Sequence, residues 1–140
     1  MGISEKRKIG NLGEDRACKF LKKNDFKIID RNYLKKWGEI DIIAQKKSFF
    51  PKKNQRIHFI EVKSVSCGDR WWNINGIMDN YLVSDNIHHW KLQRLSRVFQ
   101  TYLMEKEISD EREWQFDIII IFLNIKDKKF EVKYFEDIII

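Results

Sequence analysis

The run Ile118-Ile119-Ile120-Ile121-Phe122-Leu123 constrains the fold more than any other stretch of this chain. It is the longest apolar run, far short of the ~20 residues of a membrane span and of the right length for a β-strand. A strand that is apolar at every position must be covered on both faces, as an interior strand is. Asp117 stands just before it. The rest of the chain supplies the cover. Residues 7–23 read as a helix, with Ile9, Leu12, Gly13, Ala17, Phe20 and Leu21 on one stripe, ended by Asn24-Asp25. Residues 88–106 read as a second long helix. Strands are expected at 26–33, 39–44, 57–64, 114–123 and 129–135, with a turn at 124–128. Gly38 breaks the chain before the second strand, and 45–55 is a basic loop holding the only proline, Pro51. Residues 65–86 show no clean period and read as a long loop or insertion, with or without a helical turn. The order α-β-β-β-α-β-β implies an α/β fold, a three-layer α/β/α sandwich around a central mixed β-sheet.

A length of 140 residues fits one domain spanning 1–140. Hydrophobic residues at 43% and charged residues at 34% describe a globular rather than a disordered chain. Cys18 and Cys67 have neither metal-ligand spacing nor the look of a disulfide framework. The first eight residues lack the apolar stretch of a signal peptide. The expectation is a cytoplasmic protein with no membrane partner. Charge is unevenly placed: residues 1–63 carry 17 Lys+Arg against 8 Asp+Glu, a net of +9, and residues 64–140 carry 10 against 13, a net of −3. Such a basic half attracts an anionic polymer, or is a solvated lysine-rich surface.

Inside that basic half lie two acidic signatures, Gly38-Glu39-Ile40-Asp41 and Glu61-Val62-Lys63. Glu61 and Lys63 are two apart, so on a strand they share a face. Asp41, on the preceding strand, could meet them across a hairpin. Two carboxylates and a lysine at one point suit metal-assisted phosphodiester hydrolysis. Asp41 and Glu61, with the Val62 backbone carbonyl, would hold a hard cation, Mg²⁺ or Mn²⁺, or would be surface carboxylates on a half-exposed sheet. Such a cation lowers the pKa of a bound water and neutralises charge on the phosphate. Lys63 would orient the water, or form an ordinary ion pair with Glu61 or Asp41. Glu14 could reach the site from the first helix, or simply favour the helix dipole. Glu39 is a second-rank candidate that could serve the turn instead.

Other residues are candidates for binding a nucleic-acid backbone. Lys91 lies on the stripe Lys91, Leu95, Val98, Tyr102 and either points into the cleft or snorkels to solvent. Arg94 and Arg97 share an adjoining face, and Lys35 and Lys36 precede Gly38. Trp71-Trp72 would cap the core, make a dimer contact, or stack on unpaired bases. His88 and His89 are adjacent and diverge, and His58 faces away from Glu61 by alternation, so no histidine metal motif forms.

Taken together, these residues resemble the restriction-endonuclease-like, or PD-(D/E)XK, nucleases. More narrowly, Gly10-Asn11-Leu12-Gly13-Glu14, Arg31-Asn32, Gly38-Glu39-Ile40-Asp41-Ile42-Ile43-Ala44, Phe59-Ile60-Glu61-Val62-Lys63, Lys91, Arg94-Leu95 and Tyr102-Leu103 are similar to the YraN-type bacterial family, related to Holliday-junction resolvases. The resemblance implies a restriction-endonuclease-like fold, a metal-dependent endonuclease acting on branched or structured DNA, and a possible homodimer, since symmetric cutting requires two sites. The chain departs from the pattern in its longer segments between Asp41 and Glu61 and between Lys63 and Lys91. Ser64-Val65-Ser66 also stands where an arginine is usual. These departures touch substrate contacts more than the metal site. The alternatives are a nucleic-acid-binding module that does not cut and an assembly subunit on the same fold.

Overall fold

A computed structural model describes residues 4–48, 55–82 and 89–140. Pro51 and His88, with the parts of the expected loops at 49–54 and 83–88, lie outside the described residues. The elements are α1 (Glu5–Lys23), β1 (Phe26–Lys35), β2 (Gly38–Lys46), β3 (Ile57–Ser66), a 3-10 turn (Gly68–Asn73), α2 (Ile74–Asp79), α3 (His89–Glu105), β4 (Trp114–Asn124) and β5 (Lys129–Phe135). Ser4 caps α1, its Oγ accepting from the Arg7 N–H at 3.3 Å.

The five strands form one sheet in chain order. β3 and β4 are parallel, and the other neighbouring pairs are antiparallel. A parallel pair cannot be joined by a tight turn. The connection runs across one face of the sheet and carries α3, while α1 covers the other. The expected α/β layering, a mixed sheet with helices on both sides, is therefore what the chain forms. The isoleucine run explains itself in this setting. Ile119, Ile121 and Leu123 pack with Ala17, Cys18 and Leu21 of α1. Ile118, Ile120 and Phe122 pack with Leu95, Val98 and Phe99 of α3. Phe59 and Phe99 stack with ring centroids 4.5 Å apart.

Asp117, the one acidic residue of β4, is fully buried on the α1 side. It accepts from His58 Nδ1 and Gln115 Nε2, each at 2.7 Å, from the Asp137 N–H at 2.9 Å and from the Tyr134 hydroxyl. Burial pushes its carboxyl up, but the four donors outweigh burial and hold it below the ordinary carboxylate value. His58 thus faces away from Glu61, as alternation requires.

Two segments differ from expectation. β3 continues to Ser66, and residues 68–79 are helical rather than loop. Trp71, Ile74, Ile77, Met78 and Tyr81 of this segment pack against the α3-side core. Their spacing is helical, but Gly76 and the shortness of the elements hide the period.

Close packing explains Gly38. A Cβ there would sit 2.6 Å from Val98 Cγ2, so only glycine lets the start of β2 approach α3 so nearly. Gly38→Ala is expected to cost about 1–3 kcal/mol by overpacking. The cost should shrink in a Val98→Ala background, which removes the methyl that the new Cβ strikes. A double-mutant cycle by urea denaturation measures both terms.

Candidate functional site

The ladder between β2 and β3 is short. It pairs Ala44 with His58, Ile43 with Phe59 and Ile42 with Ile60, and ends there. The same register would set Val62 against Ile40. Instead the Val62 N–H donates to Asp41 Oδ2 at 2.8 Å. A side chain has taken the place of a backbone rung, and Asp41 and Glu61 stand where the strands part. β2 also changes face at this point: Ile40 packs on the α3 side and Ile42 on the α1 side. Strict alternation would put both on one side, so the strand is irregular at Asp41.

Burial raises the Asp41 carboxyl, the neighbouring Glu61 raises it further, and together they outweigh the Val62 N–H and push it up to about 8. Glu14 and Glu39 add to the same repulsion. Glu39 is itself raised, by burial first and by Glu61 second. Lys91 of α3 places Nζ 2.8 Å from Glu61 Oε1. Lys63, half-buried on β3, makes no ion pair among the described residues, and burial together with Lys91 lowers its pKa. The ion pair that the sequence offered to Lys63 is thus made by Lys91. Of the two courses open to Lys91, the cleft and the solvent, it takes the first: its ammonium holds Glu61 while its side chain stays 38% exposed.

A cleft of about 270 Å³ opens over these groups, lined by Gly38, Glu39, Asp41, Glu61, Trp90, Lys91, Arg94 and Leu95. Glu14 lies outside the lining but is linked to it. With its amide oriented to donate, Asn32 Nδ2 is 2.9 Å from both Glu14 Oε1 and Glu39 Oε1. Arg31 approaches Glu14 at 3.7 Å and Asp15 at 3.0 Å. Burial raises the Glu14 carboxyl against the pull of Arg31. Sequence reasoning did not single out Asn32 as a site residue. Its φ of 54° is a left-handed conformation that asparagine tolerates better than most residues, and only the Arg31-Asn32 pair in the resemblance pointed to it.

The cationic candidates have different surroundings. Arg94 lines the cleft, with its guanidinium 5.4 Å from the Trp90 ring centroid. Arg97 lies over Trp37 at 4.6 Å. Lys35 pairs with Glu105 across to α3, and Lys36 is exposed in the turn before Gly38. Trp71 packs on the core, whereas Trp72 is 85% exposed beside a groove where Lys126 and Lys129 are offset by Asp69 and Asp127.

Among the described residues, no three or more Asp, Glu, His or Cys side chains gather to hold a metal ion. The candidate donor set is narrower: two carboxylates and a main-chain carbonyl. Two carboxylates with room for solvent suit Mg²⁺ or Mn²⁺, since Mg²⁺ in particular keeps several of its waters. The repulsion that lifts Asp41 is what a cation relieves. Chemically, the cleft sets mutually repelling carboxylates beside the cations of Lys91 and Arg94.

The raised Asp41 carboxyl has a thermodynamic consequence. Unfolded, it ionises near 3.8, and folded near 8. From about pH 4 to 8 the unfolded chain binds fewer protons than the native one, so stability falls across that window and levels off above it. Asp41→Asn keeps an acceptor for the Val62 N–H and removes the titration. It is expected to raise stability at pH 8 by ~1 kcal/mol or more and to flatten the decline between pH 4 and 8. Chemical denaturation of both proteins across that range checks this.

Residues 13–121 match the profile described as uncharacterised protein family UPF0102. A UPF0102 protein of Campylobacter jejuni subsp. doylei is 39% identical over 112 residues, covering 80% of this chain and 81% of its own length. One from Campylobacter lari is 33% identical over 129 residues, covering 92% and 91%. One from Caldicellulosiruptor saccharolyticus is 31% identical over 127 residues, covering 91% and 92%. The matched span runs from Gly13, where α1 meets β3, through the cleft to Ile121 of the interior strand, and with this coverage the chain belongs to the UPF0102 family.

Proposed function

We propose that this protein is a metal-dependent nuclease that hydrolyses phosphodiester bonds in branched or structured DNA. The observation that carries the reading is the meeting of Asp41 and Glu61 at the parting of β2 and β3, with Lys63 and Lys91 beside them. Asp41, Glu61 and the Val62 carbonyl would hold Mg²⁺ or Mn²⁺. When bound, such an ion activates a water and neutralises charge on the phosphate. Lys63 orients the attacking water; its lowered pKa reflects a half-buried ammonium beside a second one, Lys91. Water adds to phosphorus as it gives up a proton to solvent, the bond to the leaving sugar oxygen breaks, and that oxygen takes a proton from solvent to leave as a hydroxyl. Arg94 and Arg97 of α3, with the exposed Lys36 of the basic N-terminal half, hold the backbone. Glu14 and Glu39, bridged by Asn32, keep the cleft acidic at its rim. Two copies would be needed to cut a symmetric junction, so a homodimer belongs to this proposal.

The rival is a module that binds nucleic acid without cutting it. The paired carboxylates weigh against it, because without a cation they repel phosphate.

In Mg²⁺ or Mn²⁺, Asp41→Ala, Glu61→Ala and Lys63→Ala are each expected to lower cleavage of a DNA four-way junction at least about 100-fold. Low-salt binding to the same junction should change little. Calorimetric titration of Mn²⁺ should show binding to wild type and none to Asp41→Ala. Undiminished cleavage by any of the three variants would sink the site assignment.

A further inference from the structure

The ion pair between Lys91 and Glu61 joins the first turns of α3 to the middle of β3 at 2.8 Å. It lies at the mouth of the cleft: the Lys91 side chain is 38% exposed and that of Glu61 is 16% exposed. Three features make it an exchangeable contact rather than a fixed one. First, α3 does not depend on it. Leu95, Val98 and Tyr102, farther along the same stripe, are buried in the core and anchor the helix. The four-carbon stem of Lys91 can swing while its Cα stays in place. Second, Lys91 serves one of two carboxylates that repel each other, a position any cation would be drawn to. Third, Arg94 lines the same cleft three residues on. An ammonium released from Glu61 would join that guanidinium at the mouth, where a phosphate could meet both.

We infer that Lys91 is a placeholder cation: it neutralises Glu61 while no metal is held, yields the carboxylate to an incoming divalent cation, and then turns to a nucleic-acid phosphate at the cleft mouth. This rests on the proposed metal-dependent reading of the cleft and adds a positioning residue to it. An ammonium and a divalent cation cannot share Glu61 without strong repulsion, so the two compete for it. No bond is made or broken in the exchange. One charge replaces another on Glu61, and the displaced charge becomes available to the polymer. Lys63 remains the water-orienting lysine, and Lys91 acts before it, on occupancy and on substrate charge.

The test uses the full chain, with Lys91→Met to keep the stem and remove the charge. Circular dichroism verifies the fold. Calorimetric titration with Mn²⁺ is expected to show Lys91→Met binding roughly tenfold more tightly than wild type, about 1.4 kcal/mol. A merely structural role for Lys91 predicts the opposite, because a loosened cleft binds metal less well. The second readout is pulsed acetylation of wild type, quantified by mass spectrometry. Saturating Mn²⁺ should raise labelling of Lys91 about threefold or more and leave the exposed Lys36 unchanged. Adding a DNA four-way junction should then protect Lys91 again. Equal or weaker Mn²⁺ binding by Lys91→Met, or Lys91 labelling indifferent to Mn²⁺, overturns this inference and leaves the nuclease reading standing. No Mn²⁺ binding by wild type, alone or with the junction, overturns both.

Discussion

The separation of β2 from β3 beyond the Ile42–Ile60 rung is the feature on which the candidate site depends. Had the ladder continued, the amide of Val62 would have been satisfied by backbone, and Asp41 would have followed its neighbours in alternation. The Asp41 carboxylate instead accepts that amide at 2.8 Å, so no buried donor is orphaned by the break. The hydrogen-bond count is preserved, but electrostatics is not. A half-buried carboxyl beside Glu61 is pushed to about 8, a burden a chain selected only for stability would not carry. The two-sided core around β4 is what tolerates it. Electrostatic strain held in place by a strong core is what the proposed site would require.

Topology brings α3 to that opening. β3 and β4 are parallel, so the chain leaving the carboxyl end of β3 must return across the sheet before starting β4. A helix on that return path runs roughly against the strands. Its first turns therefore lie over β3 away from the strand's start, and Lys91 meets Glu61 at the strand's middle. Gly38 completes the approach from the other side by letting β2 close on Val98. The cleft walls are thus a crossover helix and a strand start held close by one missing side chain.

The layers were legible in the sequence because burial leaves a period. The α1 stripe, the stripe ending in Tyr102 and the run at 118–123 each report how many faces are covered, and the strands and long helices lie within a few residues of where those patterns put them. What was hidden is local or relational. The helical segment at 68–79 is short and interrupted by Gly76, so its spacing of apolar residues does not stand out. The irregularity at Asp41 has no compositional mark, since alternation through Glu39-Ile40-Asp41-Ile42 looks unbroken. The role of Asn32 depends on a left-handed turn of β1 that brings one amide to two carboxylates on different elements. Which lysine would reach Glu61 could not be read from Glu61-Val62-Lys63 alone. Two residues on one strand face point in parallel, whereas a helix crossing above can point directly down.

The net of +9 on residues 1–63 and the acidic centre within it act over different distances. At physiological ionic strength charges are screened over about 8 Å. Surface lysines of α1 and β1 beyond that range raise the local concentration of an anionic polymer without offsetting the carboxylates at close quarters. Attraction at long range and repulsion at contact would leave a polymer held near the cleft but kept from entering it. Only charges within the cleft can reverse the inner term: Lys91 is engaged on Glu61, Lys63 is half-buried beside it, and Arg94 stands in the cleft wall. On the proposed reading, such a charge balance would require a further cation before a phosphate could approach Asp41.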